Sequence, residues 1–458
     1  MNPPQNPVVL MLSYPFPPAV SAGVQRTLRH IKYLPKFHWQ PVIVTVQPRV
    51  EKIRTDSSLK IAAIQSLDVV RVKHFELLGS WRARLKNQRT SEQRNSDRAG
   101  VSGVGLGDNE KKLQSPIAGS VRRSFSQFIK GMFNIPDAKV WWAIPALPAS
   151  IAAVWQHRPS IIYSTAPPHS SHLLAIGLGI LTRRHVVLDF RDPWARSPWQ
   201  AGTNSRVARM IDSCLESLCI RLASAVVLNT NRVRAEFTAH YGDRIARKFF
   251  VVPNGYDPEH LSAIKGSGLE ENSAKEVLRI LHPGTLYGKR SILTLARAIS
   301  QLEAEGVSVM FSQIGITKLD QETEDAIREL GVAKNLRIVA PLPHHDLLQE
   351  MGRYDCFIVV QPDTPLQVPS KLYEMMMFSK PIIALTGNGE TADLVTKYHL
   401  GFVADPSDVA QIANCLRVLA RSESTFCDAA RKHALCDFDG EKLTGQLAQI
   451  FSSLVETV

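Results

Sequence analysis

The sequence predicts an α/β protein built from two doubly wound, parallel-sheet domains in tandem. Two observations predict it. Short apolar runs of strand length alternate with segments of helical periodicity through residues 8–228, and the same alternation starts again after residue 277. A polar stretch rich in Ser, Gly, Glu and Lys, residues 261–276, separates the two series and reads as a linker. With 458 residues, 44% of them hydrophobic and 21% charged, the chain can furnish a core for each domain.

The first series (residues 1–260) opens with Val8-Val9-Leu10-Met11-Leu12-Ser13-Tyr14, an apolar run read as a buried strand. The loop Pro15–Gly23 follows, then a helix over Val24–Leu34 and a strand over Pro41–Val46. The pattern resumes with a strand at Ser160–Ser164, a helix through His172–Leu181, and strands at His185–Phe190 and Ala225–Leu228. Residues 86–116, rich in Gly, Ser, Asn, Gln and charge, read as a flexible insertion. After them Ile117, Val121, Phe125, Phe128 and Met132 recur at near-helical spacing with Arg122, Arg123 and Lys130 between. That spacing fits an amphipathic helix over 117–133 lying on an anionic membrane surface, with Trp141-Trp142 as a further interfacial anchor. A helix packed on the first domain is the plainer alternative. In the second series (277–435), strands fit Arg279–His282, Ser308–Ile314, Leu336–Val339, Cys356–Val360 and Pro381–Ala384.

Charge and cysteine usage narrow the function classes. The net charge is +12, and residues 81–130 hold eleven Lys/Arg against four Asp/Glu, so most of the excess lies in one stretch. Such an excess suits a polyanionic partner, but no helix-turn-helix, zinc or aromatic-basic signature accompanies it, and nucleic acid is not expected. Cys214, Cys219, Cys356, Cys415, Cys427 and Cys436 form no C-x-x-C pair and no cluster with His at zinc spacing. Free thiols in a reducing compartment follow, and neither a metal nor a cofactor is expected. The N-terminus has no leader pattern, and the longest plain apolar run, near Leu173–Leu181, is far short of the ~20 residues of a spanning helix. The expected setting is the cytoplasm, with peripheral contact at the inner face of the cell membrane as an extension.

Several short segments occur in a telling order: Pro15-Phe16-Pro17-Pro18 through Gly23 before a helix; Val252-Pro253-Asn254-Gly255-Tyr256-Asp257; His282-Pro283-Gly284-Thr285-Leu286-Tyr287-Gly288-Lys289-Arg290; Val368-Pro369-Ser370-Lys371-Leu372-Tyr373-Glu374; Lys380-Pro381-Ile382-Ile383-Ala384; and Gly389-Glu390. Together they resemble the retaining glycosyltransferases of the two-Rossmann GT-B fold, family four. The resemblance spans nearly the whole chain apart from the insertion. It implies two facing Rossmann-like domains with a cleft between them, a nucleotide-sugar donor on the second and a glycan or lipid-linked acceptor on the first. It also implies a role in cell-surface polysaccharide or lipopolysaccharide synthesis. Residues 436–458 are expected to form a terminal helix that packs back on the first domain.

The chemistry of such a reaction states what the residues must do. A departing diphosphate concentrates negative charge, which side-chain cations and backbone N–H groups must meet. Arg290 stands where the family usually has Lys, and Lys371 is a second cation. Ser370 and the amides around Lys371–Leu372 are candidates for the distal phosphate. Gly284, Thr285 and Tyr287 belong to the same donor loop. Glu374 matches the second glutamate of the family's Glu-x7-Glu motif, which accepts ribose hydroxyls, while the first, eight residues earlier, would fall at Leu366, which departs from the pattern. Glu390 matches a later glutamate on the donor side. In the first domain Gly23 is expected to permit close backbone approach to the donor phosphate or sugar, with a plain turn glycine as the alternative. Arg191 and Asp192, after the strand His185–Phe190, stand where many relatives carry His. Asp192 is the candidate to take a proton from the acceptor hydroxyl, and Arg191 to bind an acidic acceptor; an Arg–Asp pair that only shapes the loop is the alternative. His169 and His172, on Pro-Pro-His-Ser-Ser-His, are further acceptor-side candidates, with a core or capping role as the alternative. Asn254-Gly255 reads as a turn. A nucleotide-sugar epimerase of the same architecture is the competing enzyme class, and a basic nucleic-acid-binding protein a more distant one.

Overall fold

The computed structural model describes residues 6–19, 22–48, 67–73, 135–196, 206–265, 277–286, 288, 290–421 and 428–456. Both series fold as parallel sheets. The first contains β1 (Val8–Leu12), β2 (Gln40–Val46), β3 (Val69–Val72), β4 (Ile161–Ala166), β5 (His185–Phe190), β6 (Ala225–Leu228) and β7 (Phe249–Val251), ordered β3-β2-β1-β4-β5-β6-β7. The second contains β8 (Leu278–Pro283), β9 (Val309–Ile314), β10 (Leu336–Val339), β11 (Cys356–Val360), β12 (Ile382–Leu385) and β13 (Gly401–Ala404), ordered β10-β9-β8-β11-β12-β13. Strand order reverses between β1 and β4 and between β8 and β11, the two points where open α/β sheets hold ligands beyond their strands' C-terminal ends.

Successive side chains of a strand point to opposite faces, so each sheet feeds two cores. In the first, Leu10, Val42, Ile162, Leu188 and Val226 face a layer of helices through Trp142, Ala146, Leu174, Leu178 and Ile220. That layer comprises the helices Val140–His157, Ser170–Thr182 and Arg206–Leu222. On the other face Val9, Met11, Ile43 and Val187 meet Val24, Leu28 and Ile31 of the helix Ala22–Tyr33. They also meet Leu443, Leu447 and Phe451 of the helix Gly440–Val455. Residues from the far end of the sequence therefore complete the first domain's core. Polar contacts fix this helix in register: His30 Nδ1 lies 3.0 Å from Thr444 Oγ1, and Trp39 Nε1 donates to Ser452 Oγ at 3.3 Å.

A buried ion pair ties the first helix to the sheet. Arg26, 1% exposed, donates from Nε and Nη2 to Asp189 at 2.8 and 2.9 Å, and to the carbonyls of Val252 and Pro253. Asp189, at the end of β5, also accepts from Tyr163 Oη at 2.5 Å and from Thr165. Burial by itself would raise the Asp189 pKa, but Arg26 and Tyr163 outweigh it and hold the carboxyl ionised.

Three strands and two long helices, Val140–His157 and Arg206–Leu222, are absent from the sequence-based expectations. β3, β7 and β13 are edge strands of four, three and four residues: β3 is interrupted by Arg71 and β13 opens on Gly401, so neither is a continuous apolar run, and β7 is the shortest strand. The helix Val140–His157 carries Pro145 and Pro148 internally and no charged residue before His157, so no polar face marks its turns. Its Trp142 is fully buried, edge-on to Tyr14 with ring centroids 5.4 Å apart. It is a core residue, which corrects its reading as an interfacial anchor. The expected insertion 86–116 and amphipathic segment 117–133 lie outside the described residues. Of the expected linker, residues 261–265 belong to the helix Glu259–Lys265, and 266–276 lie outside the described residues.

Candidate functional site

A cleft of about 630 Å³ opens between the domains. Its second-domain wall comes from the chain at and beyond the ends of β8, β9, β10 and β11 and from the helix Ser370–Met375; its first-domain wall from the chain beyond β5, β6 and β7 and from Gln25 of the first helix.

Lys371 and Glu374 meet across one helical turn. Lys371 Nζ lies 2.7 Å from Glu374 Oε2, and His344 Nε2 lies 3.2 Å from the same oxygen. Burial by itself would push the Glu374 pKa up; Lys371 and His344 overcome it and hold the carboxyl well below its ordinary value. Oε1 has no hydrogen-bond partner among the described residues, so a fixed carboxylate presents one oxygen for hydroxyl donors. Lys371 keeps two further N–H donors. Arg290 is oriented by Gln361, which follows β11: its Nη2 donates to Gln361 Oε1 at 2.7 Å. Ser370, Gly284 and Thr285 line the same cleft.

Two donor-side expectations are corrected. The Leu372 side chain is fully buried and its N–H donates to the Pro369 carbonyl at 3.0 Å, so this amide closes a turn rather than facing a phosphate. Glu390, 7% exposed, is not on the cleft wall: its carboxylate accepts from the N–H groups of Asn231 (3.3 Å) and Arg232 (3.0 Å), at the start of the helix Asn231–Tyr241. It joins the domains. Beside it Arg232 makes a bidentate pair with Asp393 at 2.6 and 2.9 Å. Tyr287 lies outside the described residues.

The loops after β8 and β9 are pressed together by a glycine that the sequence reading passed over. Gly315 sits at φ +149°, and a Cβ there would come 1.7 Å from the Gly284 carbonyl oxygen. His282, at the end of β8, donates from Nδ1 to the Ile358 carbonyl at 2.8 Å. Burial pushes its pKa down to about 4, so it is neutral near pH 7, and Nε2 remains an acceptor on the cleft wall.

On the opposite wall Arg191 and Asp192 do not pair with each other. Arg191 donates from Nε to the Ala166 carbonyl at 3.0 Å and from Nη2 to the Pro167 carbonyl at 2.6 Å. Its guanidinium fills the space beside Gly23, where a Cβ would come 1.5 Å from Nη1. The close approach that Gly23 permits is thus made by Arg191. Asp192 accepts from Gln367 Nε2 at 2.6 Å. Burial raises its pKa, with Arg191 and Gln367 offsetting part of the effect, which makes it a stronger proton acceptor than an exposed carboxylate. His169 and His172 are buried and off the cleft wall: His169 stacks on Trp194 at 4.9 Å, and His172 Nδ1 lies 3.0 Å from Ser164 Oγ. Burial pushes both pKa values down.

The segment where the resemblance would place a first glutamate is a domain contact. Thr230 Oγ1 donates to the Leu366 carbonyl at 2.9 Å, and the Leu366 side chain packs against the first domain's core. Neighbouring Gln367 is the residue that reaches Asp192. His344, Gln361 and Gln367 are site residues the sequence reading missed. Gln361 had a readable signal, since it directly follows a predicted strand; His344 follows Pro341-Leu342-Pro343, which marks only a turn.

Comparison with known proteins accords with this geometry. Residues 270–434 match the model of the family glycosyl transferases group 1, so the half that carries Arg290, Lys371 and Glu374 is a glycosyltransferase domain. Among solved structures, sucrose-phosphate synthase from Thermosynechococcus elongatus aligns with TM-score 0.63 at 13% identity, covering 99% of this chain and 100% of that one. HepE of Anabaena in complex with UDP aligns with TM-score 0.63 at 16% identity, covering 98% and 100%. The lipopolysaccharide outer core galactosyltransferase WaaB, in its apo form, aligns with TM-score 0.57 at 12% identity, covering 97% and 99%. No curated protein matches the chain. The fold is GT-B, and the protein is a glycosyltransferase.

Proposed function

We propose that the chain moves a sugar, with retention of anomeric configuration, from a nucleotide-sugar donor in this cleft to a hydroxyl of a glycan or lipid-linked acceptor. The reading places it in the cytoplasm, in the synthesis of a cell-surface polysaccharide or lipopolysaccharide. The observation that carries it is the grouping of Arg290, Lys371 and the oriented Glu374 carboxylate on one wall, with Asp192 on the other. Lys371, Arg290 and the first-turn amides of Ser370 and Lys371 would meet the diphosphate, since first-turn N–H groups have no intrahelical acceptor. Glu374 Oε1 would accept from the ribose hydroxyls. In the transfer the anomeric C–O bond to the diphosphate breaks, the acceptor oxygen bonds to that carbon on the same face, and the acceptor proton passes to a departing phosphate oxygen or to Asp192. The mixed wall, with Asp192 held by a glutamine of the other domain, supports chemistry that runs only while the domains are together.

A thermal-shift screen of UDP-, GDP-, ADP- and CMP-sugars tests the donor, because a ligand of the native state raises its stability. Proton NMR of the product made from the best donor tests the outcome: an anomer of opposite configuration to the donor would overturn retention. Epimerised donor without acceptor would place the chain with epimerases of the same architecture.

A further inference from the structure

A second surface of the first domain has the make-up of a membrane-docking face. Three neighbouring helices, Val140–His157, Ser170–Thr182 and Arg206–Leu222, form one layer over the sheet, and each turns apolar side chains outward. On the first, Ile144, Pro148, Ala152 and Trp155 recur at intervals of four, four and three, and all are exposed, Trp155 at 76%. On the second, Ile180 and Leu181 are exposed at 62% and 63%. On the third, Val207, Met210, Cys214, Leu218 and Leu222 make an exposed stripe along the helix. Isolated exposed apolar residues are ordinary, whereas stripes on two helices with an exposed apolar pair on the helix between them are not.

The charges on this layer are sorted by side. The two acids of the three helices, Asp212 and Glu216, are each 1% exposed and point inward: Asp212 accepts from Trp194 Nε1, and Glu216 from the Ala195 N–H and Tyr241 Oη. The outward charges are Arg206, Arg209 and Arg221, with Arg158, Arg183 and Arg184 directly after the first two helices. Each helix runs into a strand of the same parallel sheet, β4, β5 or β6, so Arg158, Arg183, Arg184 and Arg221 fall in a row along one border of the layer.

We propose that this face docks on an anionic lipid bilayer, with Trp155, Ile180, Leu181, Met210 and Leu218 entering the interfacial region and the arginine row meeting lipid phosphates. An apolar face with a predominantly basic border, in which the exposed Asp68 lies 3.7 Å from His157 at the end of the first helix, suits an anionic interface, and arginine can bury its stem while its head stays at the phosphates. A second copy offers the arginine row no anionic partner, and a pairing that sets the two rows side by side would oppose like charges, whereas lipid phosphates meet the row directly. The surface is separate from the cleft, so its docking stands apart from the donor reading. Loop and layer are nonetheless connected: Trp194 and Ala195, directly after Asp192 and Pro193, are held by the inward acids of the Met210 helix.

Co-sedimentation of the full chain with vesicles of phosphatidylglycerol and phosphatidylcholine (1:1), and of phosphatidylcholine alone, tests the proposal. Binding to the anionic vesicles is expected, weakened by salt. Trp155→Glu/Leu181→Glu/Met210→Glu should lower the partition coefficient at least about tenfold, given the apolar area withdrawn. Arg183→Glu/Arg184→Glu, which leaves the apolar stripes intact, should lower it for anionic vesicles and preserve the thermal midpoint. Failure of the wild type to bind either vesicle, or wild-type binding by the triple variant, would overturn it. So would a wild-type dimer in light scattering that the triple variant dissolves, which assigns the face to a second copy. A blue-shifted Trp155 emission without vesicles, read as the difference from Trp155→Phe, would overturn it by showing the face covered by the chain itself.

Discussion

At the scale of single residues, the donor wall is decided by who holds Glu374. The sequence motif identifies Lys371 and Glu374 as a helical pair, but His344, which shares the same carboxylate oxygen, comes from thirty residues earlier. No local pattern announces it, because its role exists only once β9 and β11 flank β8 and β10 has joined β9. Lys371→Ala and Glu374→Ala are each expected to weaken donor binding by about tenfold or more, as loss of a charge-assisted contact does, while the fold persists. Titration calorimetry checks this, and wild-type affinity in both would remove them from the donor site. Glu374 also has a pH signature. Its folded pKa is depressed, so its stabilising effect is present above its ordinary value near 4.5 and fades as pH falls below that. The stability difference between wild type and Glu374→Gln in urea should therefore hold from pH 8 to 5 and shrink on further acidification. Asp192 is expected to act later in the reaction: Asp192→Asn should keep donor affinity and lose on the order of 10²–10⁴ in kcat. A KM-only change in steady-state kinetics would instead make Asp192 a binding residue.

At the scale of elements, strands of five to seven apolar residues were legible because both their faces are buried, as at Val8–Leu12 and Ile161–Ala166. Some elements that depart from this rule were not legible. β7 has three residues, and the helix Val140–His157 turns apolar side chains both inward and outward, so amphipathic contrast, the usual mark of a surface helix, is missing. The sequence also concealed how the first helix is fastened. Arg26 lies in a helix expected to show water its charges, yet it is enclosed with Asp189 and capped by carbonyls at 252 and 253. Breaking a buried pair strands the surviving charge. Arg26→Ala and Asp189→Ala should each cost about 3–5 kcal/mol, and the double variant less than their sum. Chemical denaturation of the three variants measures this, and additive losses would show that the two groups do not act as a pair.

At the scale of the whole molecule, four enclosed histidines set an acid limit. His30, His169, His172 and His282 are buried, and burial holds each below its ordinary pKa, His172 at about 3 and His282 at about 4. The unfolded chain takes up protons that the folded chain refuses, so stability is lost as pH falls below about 6.5. Each should forfeit about 2 kcal/mol between pH 7 and pH 5. A thermal midpoint that is flat over this range would show that these rings gain protons without unfolding. The helix Gly440–Val455 adds a condition of another kind. It covers the sheet face bearing Val9 and Met11, yet it is translated after the entire second domain. At roughly 5–20 residues per second, that face waits on the order of ten to forty seconds on the ribosome for its cover. Until then the nascent first half presents an open apolar surface, a natural substrate for chaperones, and its maturation is timed by a stretch of message that follows the second domain rather than by its own.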